Sequence, residues 1–383
     1  MQPCSYAKVE RPGATWHEPM IDLVQALRRL AAVGLAGAAL TASGSAVADD
    51  IPVGHQRLHI ECVGHGTPTV VLDAGLGGSS LEWTYVVSEL RTHTRVCTYD
   101  RAGYGISDSV PGARTSSHIA NELYLLLDGA GEAPPYIVAG HSFGGYNMQI
   151  FARRYPYLTA GLVLIDASHP GQVERFLAPP LRMLTAPSSR YGIVKFGEPR
   201  PPHTQLPSPV QRAIAARAGS VKARRTLAAE LLGFRDSARE VARAGPLVDL
   251  PLVVITRGRS DGTSSARQQA IERLWLELQV ELAHESSASV HLVARRSGHN
   301  VHIEQPQVVA YAIELLVERH RAMHPEQGGG AALAARAARR APLADVSWLH
   351  DSLSLYPMPL MSVAPVAACP LQVACAMRAG GAP

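Results

Sequence analysis

The sequence predicts an α/β fold in which a mostly parallel sheet is covered by helices on both faces. Three observations carry this expectation. Short apolar runs alternate with helical stretches from Ile51 to about His324, the rhythm of strand, crossover helix and next strand. The runs are rich in Val, Ile, Leu or Thr, residues that fit a pleated surface. One of them, Pro135 to Ala139, enters Gly140-His141-Ser142-Phe143-Gly144 and passes straight into a helical stretch.

The strand candidates, in order, are Arg57 to Cys62, Thr69 to Leu72, Arg95 to Tyr99, Tyr136 to Ala139, Leu162 to Ile165, Leu252 to Thr256 and Val290 to Val293. Helices are expected at Ser117 to Gly129, Gly144 to Tyr155 and Pro306 to Arg319, where apolar residues recur at three-to-four spacing. The second of these stops before Pro156, which can neither donate a backbone hydrogen bond nor follow a helical residue comfortably. The gap from Ile165 to Leu252 is too long for an ordinary crossover. It contains a proline-rich stretch and then two or three short helices, so residues 171 to 247 read as a helical cap over the sheet edge. Ser208-Pro209 marks a helix start there.

Both ends have a different character. Arg28-Arg29 precede an uncharged run from Leu30 to Ala48 that ends Ala46-Val47-Ala48, the pattern of an export signal cleaved after Ala48. Translation is expected to begin at Met20, and the alternative is a membrane anchor through residues 30–48. Gly, Ala, Ser and Thr dominate that run and argue against a stable span. Residues 326–383 are rich in Ala and show no sustained period, so a low-complexity, unfolded tail is expected. The 46% hydrophobic and 18% charged composition suits one large globular domain between these ends. A formal charge of only +4 leaves no basic stripe for phosphates, so nucleic acid is not an expected partner.

The chemistry is expected where strands end. A serine in a tight strand-to-helix turn is lifted clear of the sheet, and flanking glycines leave the room such a turn needs. Ser142 is therefore the candidate nucleophile. Its hydroxyl needs a base to take the proton, and His299, in Ser297-Gly298-His299-Asn300 after the last strand candidate, is assigned that role. His302 is read as a helix-start residue and His141 as structural. The imidazole in turn needs a carboxylate to fix its tautomer and offset its charge. Asp261, after the strand Leu252 to Thr256, is preferred. Asp166, after Leu162 to Ile165, is the alternative acid. The amides of Phe143 and Leu76 are the expected oxyanion donors, Leu76 lying in the glycine-rich loop Asp73-Ala74-Gly75-Leu76-Gly77-Gly78.

Asp100-Arg101-Ala102-Gly103-Tyr104-Gly105-Ile106-Ser107 lacks the Lys-Ser/Thr ending of a phosphate loop and reads instead as a turn bracing the site rim. His299-x-x-His302 has no third ligand in sight, so no metal and no cofactor are expected.

With these pieces the chain from about Ile51 to His324 resembles the alpha/beta-hydrolase superfamily, in its capped serine-hydrolase branch. LDAGLGG at 72–78, YDRAGYGISD at 99–108, GHSFGG at 140–145, ITRGRSD at 255–261 and SGHNVHIEQP at 297–306 carry the likeness. The resemblance implies an eight-stranded sheet, a cap between its sixth and seventh strands, and hydrolysis of esters or related acyl bonds on Ser142, Asp261 and His299. The His-Gly pair many members carry before the oxyanion residue is replaced here by Ala74-Gly75. A small acyl substrate and an exported location are expected. An aspartate-nucleophile mechanism is excluded by the serine at 142. Acyl transfer, peptide cleavage, carbon–carbon hydrolysis and a non-catalytic binding role stay open as alternatives. In the superfamily's strand order Cys62 and Cys97 lie on neighbouring strands, as a disulfide or as two thiols.

Overall fold

A computed structural model describes residues 47–177, 205–259, 266–325 and 353–355. The chain first forms a hairpin, β1 (Val47–Val53) and β2 (Gln56–Val63), followed by β3 (Thr69–Asp73), α1 (Thr84–Leu90) and β4 (Val96–Tyr99). Next come α2 (Ser116–Gly129), β5 (Tyr136–His141), α3 (Gly144–Arg154), β6 (Thr159–Ile165) and α4 (Gln172–Leu177). The cap region contributes α5 (Ser208–Ala218) and α6 (Val221–Arg243). The chain continues through β7 (Leu252–Arg257), α7 (Ala266–Ala283), β8 (Ser289–Ala294), α8 (Val301–Glu304), α9 (Pro306–Met323) and β9 (Leu353–Leu355).

The strands form one sheet in the order β1-β2-β4-β3-β5-β6-β7-β8-β9. Pairing is parallel from β4 through β8 and antiparallel at the two edges. All seven strand candidates read from the sequence are present, each within a few residues of its expected ends. The eight strands implied by the resemblance are β1 to β8. Residues 353–355 add a ninth beside β8, so that short piece of the expected unfolded tail is a strand.

Burial explains why the central strands lack an alternating pattern. Every residue of β3, β4, β5 and β7 is buried, because helices cover both faces, whereas β2 near the edge alternates buried and more exposed positions. Successive residues feed opposite cores. Val71, Val138 and Leu164 pack with Ile119, Leu123 and Phe151 on one side. Val70, Ile137 and Val163 pack with Trp83, Leu90, Val309 and Ile313 on the other.

Cys62 and Cys97, opposite one another in the β2–β4 register, are joined in a disulfide. Helix α6 lies against the body: Phe234 stacks on Phe143 with ring centroids 5.7 Å apart. Gly103, at φ +91°, admits Thr226 where a side chain would clash. The rest of the proposed cap, 178–204, lies outside the described residues, as do the leader through residue 46 and most of the tail. The edge strand β1 starts at Val47, two residues ahead of the expected cleavage point. Among the described residues no helix is long and apolar enough to cross a membrane.

Candidate active site

Parallel strands β3, β5, β6, β7 and β8 all end at one edge of the sheet, where an α/β fold places its ligands. Ser142 follows the last residue of β5 and stands at φ +51°, a left-handed conformation that a serine adopts only when its surroundings hold it there. They do so by hydrogen bonds: the Ser142 N–H donates to the Ile165 carbonyl at 3.1 Å, and its own carbonyl accepts from the N–H groups of Ser168 and Gly145 at 2.9 and 3.0 Å. A Cβ on Gly140 would lie 2.3 Å from the Gly144 carbonyl oxygen, and one on Gly144 would lie 2.5 Å from that of Asp73. The two glycines of the motif are thus required by close backbone packing. Phe143 precedes the first residue of α3, so its amide belongs to the helix start, where N–H groups have no partner within the helix.

His299 reaches this elbow from the loop after β8. The neighbouring His141 imidazole donates from Nε2 to the His299 carbonyl at 3.0 Å; a carbonyl can only accept, so Nε2 carries the proton. Burial, followed by the adjacent His302 and His299, pushes the His141 pKa well below the ordinary histidine value and keeps that ring neutral. Ser142 and His299 are each partly exposed between buried neighbours in the chain, and Leu76 and Gly77 are partly exposed in the loop at 73–78.

The carboxylate beside His299 is that of Asp166. Its Oδ2 accepts from His299 Nδ1 at 2.6 Å and from Arg257 Nη1 at 2.7 Å; its Oδ1 accepts from Trp275 Nε1 at 2.8 Å and the Arg257 amide at 3.2 Å. The carboxylate at His299 is thus the one ranked second, and Asp261, the preferred acid, lies outside the described residues. The physical reason is adjacency. β6 and β7 are neighbouring parallel strands with a common end, so a residue just past either can meet the imidazole. Asp166, at φ +39°, turns immediately after Ile165 and is gripped by groups from β7 and α7. Burial alone would raise its pKa; Arg257, His299 and Trp275 outweigh it and hold the carboxyl well below the usual range.

The glycine-rich loop at 73–78 packs on the elbow. A Cβ on Gly75 would come within 3.0 Å of His141 Nδ1 and 3.2 Å of Ser142 Cβ, so only glycine lets this backbone so close. Behind the loop Arg101 is wholly buried, bonded to the Ala74 and Gly75 carbonyls at 2.6 and 2.8 Å. The expected rim turn is built on Asp100, whose carboxylate accepts the amides of Ser80 and Ile106. His302 lies inside the short α8, buried against Trp83 and His141.

Four contributors escaped the sequence reading: Arg101, Glu230, Arg257 and Trp275. Two had a signal. Trp275 recurs with Ile271, Leu278 and Leu282 at three-to-four spacing along α7, a helix missing from the expected elements. Glu230 occupies the same face of α6 as Ala223, Thr226, Phe234 and Val241, an acidic residue where an apolar one is expected.

Residues 70–313 match the alpha/beta hydrolase family, and the chain belongs to that family. YqjL of Bacillus subtilis (strain 168) is 26% identical, the match covering 64% of this chain and 81% of that protein. An AB hydrolase superfamily protein of Gibberella zeae is 25% identical over 66% of this chain and 86% of its own length. Among solved structures, a thermophilic esterase from Thermogutta terrifontis superposes with a TM-score of 0.53 at 22% identity, over 72% of this chain and 98% of the esterase. That likeness concerns the fold. Family and fold together make the protein a hydrolase.

Proposed function

We propose that the protein is a serine hydrolase that cleaves an ester or related acyl bond through an acyl-enzyme intermediate. The observation that carries this reading is Ser142 at the strained elbow, with His299, paired to Asp166, against the adjacent His141, whose ring centroid is 4.7 Å from that of His299. His299 accepts the Ser142 proton as the serine oxygen adds to the acyl carbon. The resulting oxyanion takes hydrogen bonds from the Phe143 and Leu76 amides, worth roughly 3 kcal/mol each. Collapse expels the alcohol, which leaves with the proton from His299. Water, deprotonated by His299, then attacks the acyl-serine, and the carboxylic acid departs as Ser142 regains its proton. Asp166 holds His299 Nδ1 throughout and offsets the imidazolium charge.

Labelling with a fluorophosphonate tests the assignment, since covalent modification of Ser142 requires an activated hydroxyl. Modification mapped to Ser142, abolished in Ser142→Ala, is the expected result. Absence of labelling in well-folded protein favours the non-catalytic binding role. A chain-length series of p-nitrophenyl esters then reads which acyl chain the site prefers.

Export is part of the proposal. The leader pattern supports it, and so does the Cys62–Cys97 disulfide, a bond that persists in oxidising compartments. N-terminal sequencing that finds Asp49 first supports cleavage after Ala48; a start at residue 2 or 3 rejects it.

A further inference from the structure

Of the two amides that would bind the oxyanion, that of Leu76 belongs to a loop held from behind by one side chain. We propose that Arg101 is the positioning residue of the oxyanion loop and that Glu230, reaching in from cap helix α6, makes its hold depend on a seated cap. The inference rests on the serine-hydrolase reading.

Arg101 has five N–H donors, and all five are used. Nε and Nη2 meet the two carboxylate oxygens of Glu230 at 2.9 and 3.2 Å. Nη1 meets Asp73 Oδ1 and the Ala74 carbonyl, and Nη2 also meets the Gly75 carbonyl. A trans peptide is planar, with its C=O and N–H pointing opposite ways. Fixing the Gly75 carbonyl on Arg101 therefore fixes the direction of the Leu76 N–H, and fixing Ala74 does the same for the Gly75 N–H. The Gly78 amide closes the loop onto the same Gly75 carbonyl at 3.1 Å.

Glu230 is the cap's share. Its side chain is fully buried, and Tyr104 donates its hydroxyl to Oε2 at 2.8 Å. Without Glu230 the guanidinium loses its bidentate partner and two donors are orphaned in the interior, where an unpaired group drifts to any acceptor within reach. On the far side Asp73 is braced by Asn147 of α3 at 2.7 Å. One buried chain of bonds thus runs from α6 through Arg101 and the loop to the elbow helix.

The experiment compares Arg101→Lys, Glu230→Gln and Tyr104→Phe with wild type, using a p-nitrophenyl ester and a trifluoromethyl ketone that forms a tetrahedral adduct. Glu230→Gln and Tyr104→Phe nearly preserve shape, so they stay informative if Arg101→Lys fails to fold. Expected losses in kcat are roughly 100-fold, 10-fold and threefold in that order, with KM nearly constant and ketone affinity falling in step with kcat/KM. Lysine keeps the charge but not the fork, so it does not rescue. Folded variants with unchanged kcat, or with a raised KM alone, overturn the proposal. If wild type itself fails to label at Ser142, the serine-hydrolase reading falls and takes this inference with it; a labelled wild type with unaffected variants sinks only the coupling.

Discussion

Asp166 Oδ2 lies 2.6 Å from His299 Nδ1, although 133 residues separate them along the chain. The same carboxylate also receives Arg257 and Trp275, so its position and its charge are both secured before His299 arrives. An acid held so firmly suits a positioning and charge-balancing task, because it stays ionised while the imidazole gains and loses a proton.

Asp166→Asn is expected to lower kcat by roughly 10³- to 10⁴-fold, the scale on which loss of a triad carboxylate acts. Asp261→Asn is expected to change kcat by no more than about twofold. Steady-state kinetics on both variants, with circular dichroism to check folding, decide between the two acids. A severe loss at 261 with full activity at 166 returns the role to Asp261.

The proposed oxyanion loop yields a steric prediction. A methyl at Gly75 must enter space bordered by His141 Nδ1 and Ser142 Cβ, both fixed by the elbow. Gly75→Ala is therefore expected to cut kcat by about tenfold or more, since small misplacements near the reacting atoms are costly. Leu76→Ala keeps the amide and leaves kcat near wild type, whereas Leu76→Pro removes the donor and abolishes turnover. Comparable activity in Leu76→Ala and Leu76→Pro would show that the second donor lies elsewhere.

How much of this was legible in the sequence follows from which contacts are local. The elbow is local: strand, glycine, serine, glycine and helix are consecutive, and Ser142 and Phe143 could be placed from that run alone. The loop at 73–78 was legible for the same reason. The choice between Asp166 and Asp261 depends on how two adjacent strand ends turn toward one histidine, and neither composition nor spacing encodes that turn. Arg257 and Trp275, which grip Asp166, are reached only through the β7–α7 packing. Arg101 stood in a recognised segment, yet its partner Glu230 lies 129 residues further on, inside the cap.

The disulfide closes a loop with a sequence separation of 35 residues. On a chain-entropy basis its removal is expected to destabilise the fold by about 4 kcal/mol. Cys62→Ala/Cys97→Ala, compared with wild type in urea unfolding, measures the loss. Peptide mapping without reduction should recover the two cysteines in one cross-linked fragment, and two separate fragments would remove the bridge.

Acid should weaken the fold in two stages. Burial pushes His169 and His291 down to about 4, and drives His141 below the ordinary value of 6.5. A histidine depressed in the native state holds fewer protons folded than unfolded at pH values between its two pKa values, so acid favours unfolding there. The stability that His169 and His291 confer is complete above about pH 6.5 and is lost as pH falls toward 4, on the order of 1 to 3 kcal/mol for each, and His141 acts in the same direction. The depressed carboxyl of Asp166 has the same sign in a lower window: its contribution is present above the unfolded value of 3.8 and is lost only as pH falls through the lower native one. The melting temperature should therefore begin to drop below pH 6.5, well before carboxylates titrate. His291→Gln, which keeps a polar side chain opposite the Thr256 hydroxyl, should flatten the first stage. A melting temperature constant from pH 7 to 5 would mean that these imidazoles are more hydrated than their burial implies, and the first stage would vanish.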